Sequence, residues 1–156
     1  MSLKIVHGSP GTEGSRVPSP QAKDAMAYGK RVRVLVVDDE PSICKALSIA
    51  LTRAGFEPVT AQSGESALAI VRTEHVDVML IDLRIPDMRG DVIFEAASAH
   101  QGHLRYQTLF MTGDITERAH KLIANCKCHF LRKPFDLRDM TDAVAALSPR
   151  VHDQTA

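Results

Sequence analysis

Short apolar runs alternate with segments of helical period along most of this chain, and that alternation restricts the fold more than any other feature. Val32-Arg33-Val34-Leu35-Val36-Val37 is β-branched almost throughout and suits a strand buried on both faces. Pro41 then opens a helix, at a position where its missing N–H would be unpaired in any case. Ile43, Leu47, Ala50, Leu51 and Ala54 follow at helical spacing, and Gly55 ends the helix. Glu57 to Ala61 predicts a short second strand, and about Glu65 to Thr73 a second helix with Leu68 and Val71 inward. Val76 to Ile81 is the third apolar strand, ending on Asp82. A helix over about Asp91–Ala99 buries Ile93, Phe94 and Ala97. Thr108–Met111 is the fourth strand, about Thr116–Asn125 the fourth helix, and Cys128–Leu131 the fifth strand. Leu137, Met140, Val144 and Leu147 mark the inward stripe of a last helix. Five strands alternating with five helices predict an α/β fold, a parallel sheet covered on both faces, wound by right-handed crossovers.

The ends differ in character. Residues 1–30 are rich in Gly, Ser and Pro, as in Gly8-Ser9-Pro10-Gly11, and are read as a flexible N-terminal arm or leader. Residues 31–147 form the domain, and 148–156 a polar C-terminal tail. A hydrophobic content of 44 % supports a real core, and 19 basic residues balance 19 acidic ones, so no global field marks a nucleic-acid binder. There is no membrane-spanning apolar run and no secretory signal pattern, and Cys44, Cys126 and Cys128 are an odd count. The expectation is a reduced, cytoplasmic protein without membrane attachment.

In open parallel sheets, sites form at the carboxyl ends of the strands, where strand order reverses. Strand 1 ends at Asp38-Asp39, strand 3 at Asp82, strand 4 at Thr112-Gly113, and strand 5 is followed by Lys133-Pro134. Each of these words alone is ordinary: Asp-Asp is usually a helix cap with a solvated neighbour, and Thr-Gly and Lys-Pro are common turns. Their joint occurrence, in order and each at a strand end, points to one site. Close carboxylates resist joint ionisation unless a cation joins them, and Mg²⁺ prefers carboxylates, waters and phosphate oxygens. Asp82 is then the nucleophile that forms an acyl phosphate. Lys133 contacts a phosphoryl oxygen as a point charge, and Thr112 donates a hydrogen bond to another.

The sequence resembles the receiver domain of bacterial response regulators over roughly Arg31 to Leu147. The words that carry the likeness are Val34-Leu35-Val36-Val37-Asp38-Asp39-Glu40-Pro41, Asp82-Leu83-Arg84-Ile85-Pro86-Asp87-Met88-Arg89-Gly90, Met111-Thr112-Gly113-Asp114 and Leu131-Arg132-Lys133-Pro134-Phe135. The resemblance implies a flavodoxin-like sheet of order 2-1-3-4-5 and Asp82 as the phosphorylated aspartate. It implies Mg²⁺ held by Asp39, Asp82 and the backbone carbonyl of Arg84, with Asp38 acting largely through water. Thr112 and Phe130 match the switch hydroxyl and the switch aromatic, and Lys133 the phosphate-binding lysine. The Lys133–Pro134 bond is expected to be cis. The implied partner is a sensor histidine kinase or phosphotransfer protein that supplies phosphohistidine. An effector of unstated identity would read the repacked face of helix 4, strand 5 and helix 5, which is also the family's usual homodimer surface. Such a module catalyses only its own phosphorylation and dephosphorylation and is not a turnover enzyme.

Four further expectations come from particular residues. Arg84 and Asp114 face each other across the site mouth, and their pairing would hinder attack of water on an acyl phosphate. A carboxylate-nucleophile phosphatase would instead use Asp38 with Glu40 two residues on, leaving the Asp82–Pro86 loop unexplained. Cys126, Cys128 and His129 lack a second ligand pair at metal spacing, so structural zinc is not expected. No basic recognition segment argues for direct nucleic-acid binding. A stand-alone receiver, the receiver of a DNA-binding regulator and the receiver of a hybrid histidine kinase all fit the sequence.

Overall fold

A computed structural model describes residues 30–113, 117–126 and 128–149 of the chain. Five strands form one parallel sheet: β1 (Arg33–Val37), β2 (Glu57–Ala61), β3 (Val78–Asp82), β4 (Thr108–Thr112) and β5 (His129–Arg132). Their spatial order is β2-β1-β3-β4-β5, as the resemblance implies. The helices between and after them are α1 (Pro41–Arg53), α2 (Gly64–Thr73), α3 (Gly90–His100), α4 (Glu117–Cys126) and α5 (Leu137–Leu147).

Alternation along each strand sends successive side chains to opposite faces and so builds two cores. Leu35, Val37, Met79, Ile81 and Phe110 point to the side covered by α2, α3 and α4, where they meet Leu68, Val71, Ile93, Phe94 and Ala119. Val34, Val36, Val78, Leu80, Leu109 and Met111 point to the other side, against Leu47 and Leu51 of α1 and Met140 and Val144 of α5. Every residue of β3 and β4 is buried, because these strands have neighbours at both edges and helices on both faces.

Several boundaries differ from the sequence reading. Strand β3 starts at Val78, not Val76: the Asp77 N–H still donates to the Arg33 carbonyl of β1 at 2.9 Å, but other groups ahead of Val78 bond outside the ladder. The Val76 N–H donates to Gln101 Oε1, and the Asp77 carboxylate accepts the Arg33 N–H. Strand β5 is shifted by one residue, and α3 extends one residue further at each end than its apolar stripe suggested. A turn of 3-10 helix at Gly102–Arg105, with Leu104 fully buried, falls between two elements in a stretch that the sequence reading left unassigned. Ser148, assigned to the polar tail, is buried and bonds back to the end of α5 through Oγ to the Val144 carbonyl. The expected arm up to residue 29, the tail from residue 150, Asp114 and Thr116 lie outside the described residues.

Candidate functional site

The carboxyl edge of the sheet gathers the expected side chains. Asp38 follows Val34 and Val36 in parity, Asp82 follows Val78 and Leu80, and Lys133 follows Leu131, so all three continue the α1/α5 face beyond the core. Lys133 Nζ lies 2.8 Å from Asp82 Oδ2 and 3.0 Å from Asp38 Oδ2, donating to both carboxylates from a strand and loop far away in sequence. The remaining oxygen of each acid takes a local backbone donor. Asp38 Oδ1 accepts the Glu40 N–H at 3.0 Å, and Asp82 Oδ1 accepts the Arg84 N–H at 2.9 Å. Asp38 is fully buried and Asp82 nearly so, whereas Asp39 is half-buried.

Asp38, Asp39 and Asp82 each offer a carboxylate oxygen within 4.8 Å of the others. One ammonium faces three carboxylates here, so the corner keeps an excess of negative charge and a set of hard oxygen donors. That chemistry fits Mg²⁺ and does not fit a soft, thiolate-preferring metal. Burial is the largest influence on Asp82 and raises its pKa above the ordinary carboxylate value. Hydrogen bonds from Lys133 and the Arg84 N–H oppose that rise, and the Asp38 charge adds to it. For Lys133 burial is again the largest single influence and acts downward, but the bonds and charges of Asp82 and Asp38 together outweigh it and the ammonium's pKa is raised.

The other site residues are equally close to the edge. Thr112 is the last residue of β4 and is buried, and its carbonyl accepts the Lys133 N–H at 2.8 Å. The Lys133–Pro134 peptide is cis, in agreement with the resemblance. Phe130 is buried in the core on the α2/α3/α4 side, so the expected switch aromatic already lies inward in this structure. Glu40, which a nucleophile on β1 would need as its second acid, is exposed as the residue ahead of α1 and is no member of the carboxylate cluster. The proposed partner of Arg84, Asp114, falls outside the described residues. Of the cysteine group, Cys128 packs against the core and His129 is exposed, while the Cys126 side chain is not described.

Two supporting residues had gone unassigned in the sequence reading. Cys44 is buried on α1, and its thiol donates to the Asp38 carbonyl at 3.2 Å, tying the helix to the acidic turn. Burial first, then the Asp38 charge, raises that thiol's pKa, which keeps it protonated as a donor. Gly90 opens α3 directly behind the site. A Cβ there would stand 2.8 Å from the Asp82 carbonyl oxygen and 2.8 Å from Leu83 Cα, a contact side chains do not make. A thiol at helical spacing and a glycine at a helix start are common on structural grounds alone, so nothing in a single sequence sets these two apart.

A doubly covered parallel sheet with acids from β1 and β3 and a lysine after β5 at one edge agrees with the receiver class that the sequence resembles. The sequence pattern of the response regulator receiver domain matches residues 34–145, and the chain belongs to that family. Among curated proteins it is 35 % identical to the "Probable transcriptional regulatory protein TcrX" of Mycobacterium tuberculosis, over 80 % of this chain and 53 % of that one. The chain thus spans about half the length of that relative. Among solved structures it is similar to the Vibrio cholerae chemotaxis protein CheY4, with a TM-score of 0.68 and 27 % identity over 75 % of this chain and 98 % of the other. A CheY-like receiver domain protein of Methanospirillum hungatei shares the fold with a TM-score of 0.70 at 24 % identity, over 75 % of this chain and 93 % of that one.

Proposed function

We propose that Asp82 accepts a phosphoryl group from a phosphohistidine of a sensor histidine kinase or phosphotransfer protein, and that Mg²⁺ is required. The observation that carries this reading is the convergence of Asp38, Asp39 and Asp82 within 4.8 Å of one another, with Lys133 bonded to two of them. Asp39, Asp82 and the carbonyl of Arg84 would hold the ion, and Asp38 would reach it through water. Held there, the ion would supply positive charge against the carboxylates and an incoming phosphoryl group. An Asp82 carboxylate oxygen attacks phosphorus. The new P–O bond forms as the P–N bond of phosphohistidine breaks, and the leaving imidazole takes its proton from solvent. Lys133 then transfers one of its hydrogen bonds to a phosphoryl oxygen, and Thr112 binds another. Phe130 responds through packing alone, since it lacks the hydroxyl a tyrosine would bring. The face of α4, β5 and α5 presents the outcome to an effector or to a second copy of the chain.

Among the described residues, no helix is long and apolar enough to cross a membrane. The similarity to a probable transcriptional regulatory protein supports an output in the control of transcription. The test is direct: incubation with a small phosphodonor and Mg²⁺, followed by intact mass, yields one added phosphoryl group. Addition that persists with a chelator present or with asparagine at position 82 would reject the reading.

A further inference from the structure

The loop from Leu83 to Arg89 joins Asp82 to α3 and is tied at both ends. The Arg84 N–H donates to Asp82 Oδ1, and the Gly90 N–H donates to the Leu83 carbonyl at 3.1 Å. Between these ties, the Asp87 side chain crosses to another element. Its Oδ1 accepts the Gly64 N–H at 2.9 Å, and its Oδ2 accepts the Glu65 N–H at 3.1 Å. These are the first two amides of α2, donors that no residue within the helix can satisfy. Ser63, the residue ahead of the helix, caps a different amide: its Oγ accepts the Ser66 N–H at 3.1 Å. The end of α2 is therefore capped twice, once by its own neighbour and once by the loop of the acidic edge.

Packing reinforces the crossing. A Cβ on Gly64 would lie 2.7 Å from Met88 Cβ, so the loop comes as near to the helix start as a glycine permits. The carboxyl of Asp87 has a pKa below the usual range, chiefly because the Gly64 N–H donates to it. It is ionised at neutral pH, the form in which both oxygens accept.

We propose that Asp87 is a positioning residue of the phosphoacceptor loop: by bridging Gly64 and Glu65 it fixes the backbone of Arg84, whose carbonyl would hold the ion. The inference rests on the Mg²⁺ reading above. A loop held at its two ends and by one internal bond, from the Met88 N–H to the Ile85 carbonyl at 3.3 Å, still leaves the Arg84 carbonyl ahead of that bond free to turn. A ligand that must be ordered on binding loses affinity. Anchored three residues beyond Arg84, the backbone is ordered before the ion arrives.

The experiment is a Mg²⁺ titration of the chain followed by amide NMR, comparing wild type with Asp87→Ala, Asp87→Asn and Ser63→Ala. Ser63→Ala removes a cap from the same helix end without touching the loop. Both alanine variants are expected to lower Tm, but only Asp87→Ala weakens Mg²⁺ binding, on the order of tenfold, the low end for residues that hold metal ligands in place. Asp87→Asn keeps one acceptor oxygen and falls between, and amide exchange at Gly64 and Glu65 quickens in Asp87→Ala. Equal Mg²⁺ affinity in Asp87→Ala and Ser63→Ala would overturn the inference and leave the Mg²⁺ reading standing. A wild-type chain that binds no Mg²⁺ overturns both. If Asp87→Ala does not fold, Asp87→Asn set against Ser63→Ala carries the same comparison.

Discussion

The two ends of the sheet are both polar, but they solve opposite problems. At the amino end, charges and donors close on one another. Arg33 pairs with Glu57 at 3.0 Å and Glu74 at 2.6 Å, while its N–H donates to Asp77 at 2.8 Å. His75 meets the other oxygen of Asp77, and its ring stacks on His103 at 5.2 Å. Gln101 donates to the carbonyls of Val71 and Glu74 and accepts the Val76 N–H, joining α2, α3 and the approach to β3. At the carboxyl end, three carboxylates meet one ammonium, which bonds two of them. The amino end is a satisfied tie whose partners are all protein. The carboxyl end keeps unmet negative charge, which costs stability and suits a cation.

That contrast can be broken most sharply at Asp82. Asp82→Asn should abolish the phosphoryl mass shift altogether, whereas Asp77→Asn at the other end should leave it at the wild-type level; labelling and intact mass of both variants check this. Next in size is Lys133→Met, which strands the buried Asp38 and removes a donor to the phosphoryl group. Labelling should slow about a hundredfold, the usual loss for one preorganised donor. Denaturant unfolding should show a loss of roughly 2 kcal/mol, less than for a fully buried pair because the Lys133 side chain is 26 % exposed. Asp77→Ala leaves the Arg33 N–H without its acceptor and should cost about 2 kcal/mol by the same measurement, with labelling unchanged.

A smaller effect carries a sign. Burial raises the Asp82 pKa in the folded state, so the stability this group contributes is full below its unfolded value, about 3.9, and is lost as pH rises through the folded value. Asp82→Asn should therefore be more stable than wild type at neutral pH, by about 1 kcal/mol, an advantage that shrinks toward acid. Thermal melts across that range test it, and a neutral-pH melt lower than wild type would contradict the account of the carboxyl end. Smallest is Arg33→Met. Its two ion pairs involve acids about half-exposed, so the loss should stay at about 0.5 kcal/mol, the middle of the range for exposed pairs, and fade with salt.

Much of the site was legible in the sequence because chemistry and strand ends coincide. An apolar run that stops on an acid marks both the end of a strand and the start of a site, as Val78–Ile81 does before Asp82. Periodicity gave the order of the elements, and the family words gave the roles expected of Asp39, Arg84 and Phe130, which no spacing could supply. The start of β3 was misjudged because Val76 is as apolar as a strand residue, and only Gln101 and Arg33 claim the neighbouring backbone and side-chain groups.

The sequence alone determined that strands and helices alternate, that the sheet is buried on both faces, and that three acids, a threonine and a lysine end up at strand termini. These follow from local composition and period, which each segment carries with it. Tertiary structure alone decided that Lys133 bonds both Asp38 and Asp82, that Cys44 holds the acidic turn, and that Asp87 caps a helix belonging to another segment. Those contacts depend on strand register and on the path of the crossovers, which set distances between residues that no local pattern connects.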